Sequence, residues 1–194
     1  MFLDAITHRW VGPPRTGGIL LLATCAVACA STPPAPFTPP DPCTRVVPAI
    51  DGPVFTGPEG RLGRPFSLVV PEAFSPVDGM GIDSEVRLWV DGSGNAIFYD
   101  YSASISQPFL RSHLARYLEC RDTVGGRAAT LAVGRDTAGT MANIDGAARF
   151  VAVATWSRLD GGPQMSIIVT SLDAAGFDHG LAILRSVRFP EGGS

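Results

Sequence analysis

The chain has 194 residues, a net charge of −3 and apolar or aromatic side chains at 45% of its positions. All 15 basic residues are arginine and stand singly, so the sequence lacks the clustered cations that a phosphate backbone needs, and nucleic acid is not an expected partner. The lack of lysine also excludes Schiff-base chemistry, a P-loop and a lysine general base.

The first 30 residues set the expected location. Residues 17–29 read GGILLLATCAVAC, after Arg9 and Arg15 and before the proline-rich STPPAPFTPPDP. The apolar run is shorter than the ~20 residues that cross a bilayer core and suits the core of a secretory signal. The order resembles the signal of a bacterial lipoprotein, in which a small residue precedes the cysteine that receives lipid. Cys25 and Cys29 both compete for that role; Cys29 follows alanine and a longer apolar core, and is favoured over Cys25. Ordinary cleavage after Ala30 is the alternative. The resemblance implies several acyl chains on Cys29, and more than one chain gives stable anchoring. Alanine after either cysteine implies the outer membrane, facing the periplasm. The expected organisation is a signal over residues 1–28, a tether over 29–48 and one domain over 49–194. Proline fixes φ and removes backbone donors, so the tether should be extended and semi-rigid. The remaining ~150 residues suffice for one domain with a real core.

After the signal, only Cys43 and Cys120 remain. Two thiols in an oxidising compartment most simply pair. The rival reading is two free cysteines, one buried as a small hydrophobe.

In chain order, a short strand is expected near residues 53–56 and a firm one at 66–70, stopped by Pro71. Residues 72–83 read as a loop. Residues 85–90 and 96–101 form a hairpin across the turn Asp91–Gly92–Ser93–Gly94–Asn95. Asp91, Ser93 and Asn95 sit at alternate positions, as calcium ligands do, but Ser102 stands where a bidentate acid is required, so a tight turn is expected. Residues 108–119 (PFLRSHLARYLE) predict a helix, with Pro108 in its first turn and Cys120 just past its end. Strands follow at 127–133, 149–158 and 164–172, with a loop at 134–146. Asp173 can cap a last helix, whose core is expected at 177–186, weakened by Gly176 and Gly180.

Hairpins with helices at two points predict an α+β fold, an antiparallel sheet with a mid-chain and a C-terminal helix packed on it. PFSLVVPEAF, DSEVRLWV, CRDTVGGRAATL and LAILRSVRF together resemble the PsbP/Mog1-type fold over residues 65–189. That resemblance implies an accessory or binding protein rather than an enzyme, and transfers no functional residue.

The residues show no catalytic pattern. His113 and His179 lack zinc-ligand spacing, and G-x-S-x-G is absent. No cofactor or metal is expected. Asp78 with Asp83, or Asp100 with Glu119, could pair as hydrolytic carboxylates, although acids at turns and hairpin ends are usually solvated. Trp89, Tyr99, Tyr101 and Trp156 would line a groove if they shared an open sheet face; packing within a core is favoured. The leading expectation is a non-catalytic, lipid-anchored envelope module that binds another envelope component, with an envelope protein as a candidate partner. The alternative is a small-ligand-binding lipoprotein, which needs a pocket of ~300 Å³ or more. An envelope hydrolase ranks third.

Overall fold

The computed structural model describes residues 38–57, 65–77, 85–101, 105–139, 147–157 and 164–190. The expected signal, Cys25, Cys29, Asp78 and Asp83 lie outside them. Among the described residues, nine strands and two helices run as β1 (Val54–Thr56), β2 (Ser67–Val69), β3 (Phe74–Pro76), β4 (Glu85–Asp91), β5 (Ala96–Tyr101), α1 (Gln107–His113), β6 (Leu114–Val124), β7 (Arg127–Asp136), β8 (Arg149–Trp156), β9 (Met165–Ser171) and α2 (Gly176–Arg185). This is the α+β architecture that the sequence predicts.

Strands β3 to β9 form one antiparallel sheet in the order β3-β4-β5-β9-β8-β7-β6, and β1 and β2 form a separate ribbon. The segment carrying α1 crosses from β5 to the far edge. The chain then returns strand by strand until β9 pairs with β5. Register pairs across the sheet share a face. One face carries Trp89, Tyr99, Tyr101, Leu131, Ala154, Trp156 and Ile167, all buried beneath α2 and the ribbon in the main core. The four aromatics therefore share a face, as a groove would need, but they fill the core. Phe55 of the ribbon meets Trp89 edge-on at 4.8 Å, and Phe66 lies 4.9 Å from Tyr99. The opposite face holds Ala132, Val151, Val153 and Ile168 under Leu110 of α1.

The short α1 starts as expected: the Ser106 hydroxyl accepts a hydrogen bond from the Phe109 N–H, and Pro108 lies in the first turn. It ends early. At Leu114 the backbone turns extended (φ −100°, ψ 118°), so residues 114–119 belong to β6 and not to the predicted helix. Cys120 therefore lies within a strand. The predicted loop at 72–83 contains β3, and β7 runs on through Asp136.

Helix α2 begins one residue before the predicted core. The Asp173 carboxylate accepts a hydrogen bond from the Gly176 N–H at 2.9 Å. Gly176 and Gly180, which lower intrinsic helix stability, are what let α2 approach the sheet. A Cβ on Gly180 would lie 3.3 Å from Ala152 Cβ, and one on Gly176 would collide with Ser171 Oγ at 1.9 Å.

Cys43 and Cys120 form a disulfide, with Cα atoms 6.1 Å apart. It ties the strap over residues 38–50 to β6. Arg45 also reaches α2, donating to both oxygens of Asp178 at 2.8 and 2.5 Å. That hydrogen bond, with the guanidinium charge, holds the Asp178 carboxyl below its ordinary pKa.

Candidate functional site

The start of α2, the end of β9, the chain around β3 and the β4–β5 turn border an open pocket of about 370 Å³. Its walls are mainly apolar, from Pro71, Ala73, Phe74 and Val169. Strand alternation puts Val169 and Ser171 on this side and turns the Thr170 side chain to the other face.

The rim is polar, and most of its groups are already engaged. Asp91 accepts from the Ser93 and Asn95 N–H groups at 2.9 and 2.8 Å, and from Asn95 Nδ2 at 2.7 Å. Asn95 Oδ1 accepts from the Leu172 N–H at 3.1 Å. The Ser171 hydroxyl donates to the Asp173 carbonyl at 2.5 Å. These bonds convert Asp91, Ser93 and Asn95 into a self-satisfied turn, as the sequence predicts, rather than an ion cage. His179 differs. Its ring lies nearly parallel to Phe74, with centroids 6.4 Å apart and planes 9° apart. Among the described residues, its nitrogens make no hydrogen bond. The arrangement suits an apolar body that stacks near Phe74 and exchanges one hydrogen bond with the imidazole.

The other predicted residues are dispersed. His113 is exposed on α1, stacked on Phe109 at 4.0 Å, with Nδ1 2.9 Å from Ser112 Oγ and 2.8 Å from the Phe109 carbonyl. Among the described residues, neither histidine meets an acid. Asp100 is buried in β5, not solvated, and pairs in register with Ser166. Glu119 lies on the edge strand β6, four strand spacings away, or roughly 19 Å. The two carboxylates therefore cannot share a substrate. Glu119 instead accepts from Tyr117 and Arg111, and the Tyr117 hydrogen bond leads in lowering its pKa. Burial raises the pKa of the Tyr117 phenol, and Glu119 adds to the rise.

The buried charges Asp136 and Arg149 were not singled out from the sequence. They are register partners in β7 and β8. Arg149 also donates to the Gly94 carbonyl, fastening the β4–β5 turn to the sheet. An acid and an arginine that open or close apolar strands are the only sequence trace of that link. The nearest acid–thiol group, Asp41 with Cys43 and Cys120, offers no thiolate because both sulfurs are in the disulfide.

Compared with protein-family models and with curated proteins, the chain matches none.

Proposed function

We propose that this protein is a non-catalytic module of the bacterial cell envelope, exported by its N-terminal segment, anchored through lipidated Cys29, and built to bind a small, largely apolar ligand at the start of α2. The observation that carries the reading is the pocket of about 370 Å³, with an apolar lining and one imidazole uncommitted among the described residues. It has the size and lining that small-molecule sites share, and so favours ligand binding over docking of another envelope protein. The PsbP/Mog1-type resemblance agrees with a binding role.

A fragment screen followed by NMR tests it. Apolar fragments with one hydrogen-bonding group should shift the His179 and Phe74 ring resonances. Ala73→Trp, a substitution at an exposed position of the lining, should abolish those shifts without unfolding the protein. Hits that ignore both rings, or that survive Ala73→Trp, would sink the reading. Intact mass tests the anchor separately: acyl mass should sit on Cys29, and Cys29→Ser should leave unprocessed precursor.

A further inference from the structure

The opposite end of α2 borders a larger groove, of about 440 Å³. One wall is the strap at residues 47–50. The floor is the ribbon, where Val54 pairs with Val69 and Thr56 with Ser67, so those four side chains share a face while Leu68 points into the core. The far wall is the last turn of α2 and the residues after it. Among the described residues, no acid lines the groove, whereas Arg185 and Arg188 do.

The two guanidinium groups are used differently. Arg185 is committed to the strap. Its Nη1 donates to the Arg45 carbonyl at 2.9 Å, and its Nη2 to the carbonyls of Pro42 and Cys43 at 2.8 and 3.2 Å. Asp122 approaches the same Nη2 at 3.8 Å. Arg188 uses a single nitrogen: Nη1 donates to the Arg185 and Val187 carbonyls, both at 2.7 Å. Among the described residues, its Nε and Nη2 donate to nothing, and no carboxylate pairs with it. Those two nitrogens form the edge of the fork that grips a carboxylate or phosphate with two parallel hydrogen bonds.

The surroundings fit such a group. The backbones of Ser67 and Arg188 exchange hydrogen bonds at 2.8 and 2.9 Å, which fixes the base of the arginine beside the Ser67 hydroxyl. A smaller hollow of about 220 Å³, lined by Thr56 and Phe189 among others, shares Ser67 and Arg188 with the groove. At the groove itself Val54 is left 63% exposed, and Ile50 and Val69 also line it. A cationic fork thus stands beside an open apolar strip.

We propose that this groove binds a small amphiphilic anion, with its carboxylate or phosphate on the Nε/Nη2 edge of Arg188 and its apolar body along Val54, Val69 and Ile50. The site is separate from the pocket at the start of α2 and does not rest on it. A free amphiphile and the headgroup region of an anionic lipid share this chemistry.

Calorimetric titration of the purified, oxidised protein with octyl phosphate is the test. Binding should be saturable, and inorganic phosphate and octanol should each bind at least tenfold more weakly, because each lacks half of the match. Arg188→Gln should weaken octyl phosphate binding at least tenfold. Val54→Asp, at an exposed position that tolerates a polar residue, should weaken it similarly through repulsion and the lost apolar contact. Vesicles containing phosphatidylglycerol identify the source: Arg188-dependent vesicle binding points to a bilayer lipid, and its absence alongside octyl phosphate binding points to a free amphiphile. Either outcome supports the site. No saturable binding of octyl phosphate, or unchanged affinity in both variants, would overturn it.

Discussion

The two ends of α2 border concavities of similar size that are made in different ways. The pocket at its start is walled by β3, β9 and the β4–β5 turn, all parts of the sheet or its immediate connections. The groove at its end has one wall of non-regular chain, residues 47–50, which belongs to no sheet or helix. That wall is placed by a disulfide, by Arg45 on Asp178 and by Arg185 on three carbonyls. The first concavity exists whenever the domain is folded. The second needs a covalent bond and a set of charged hydrogen bonds as well.

The largest perturbation should erase the distinction. Trp156 is fully buried against Phe189, and Trp156→Ala should cost about 3–5 kcal/mol. Both concavities should then be lost in the same denaturant transition. Removing the disulfide with Cys43→Ser and Cys120→Ser should separate them. The closed loop spans 77 residues, for which chain entropy gives about 4.5 kcal/mol as an upper guide. Strap amides should lose exchange protection and octyl phosphate affinity should fall, while the His179 and Phe74 resonances stay in place.

Gly176→Ala acts on the other end. The new Cβ would fall 1.9 Å from Ser171 Oγ, and overpacking of this kind costs about 1–3 kcal/mol, partly offset by better helix propensity. Fragment binding should weaken while strap protection is unchanged. Arg185→Ala, with the disulfide intact, should cost about 1–2 kcal/mol by removing a charged donor from three carbonyls; faster exchange confined to residues 41–50 would confirm it. The smallest effect is acid loosening of the strap. The Arg45 hydrogen bond depresses the Asp178 pKa in the folded state, so its contribution is complete above the ordinary value of 3.8 and is lost as pH falls through the lower folded value. The Arg45 Nε–H resonance should be constant from pH 7 to about 4.5 and move only in stronger acid.

Much of this architecture was legible in the sequence because its signals are local. The β4–β5 hairpin is marked by turn residues between runs of β formers, and α2 by an apolar face that begins shortly after Asp173, whose carboxylate accepts from the Gly176 N–H although Ala175 is the N-cap. The half-error in residues 108–119 has a specific cause. Arg116 adopts φ +56°, and the β6–β7 register shifts between Ala115 and Leu118. Leu114, Tyr117 and Leu118 stand three and four positions apart in the sequence, which imitates a helical stripe, while the deciding interaction is pairing with β7. β3 was missed because three residues carry too little pattern, and its strand character comes from β4. The Cys43–Cys120 bond followed from counting thiols and from the expected compartment. The two concavities could not be read in advance, since each joins residues far apart in the chain. The uncommitted edge of Arg188 is visible only once its neighbours' positions are known.

The bulge that misled the sequence reading also bears on how copies of this protein avoid one another. β6 is an 11-residue edge strand, and an uninterrupted edge of that length is a template on which a second chain can add a strand. Arg116 breaks its ladder near one end. Towards the other, the Cys43 sulfur sits 3.4 Å from the Arg121 carbonyl oxygen, so the strap shields that part. Only a short run of the edge is left between the bulge and the strap. The same bond that completes the groove therefore also pins the strap over the C-terminal part of an edge strand.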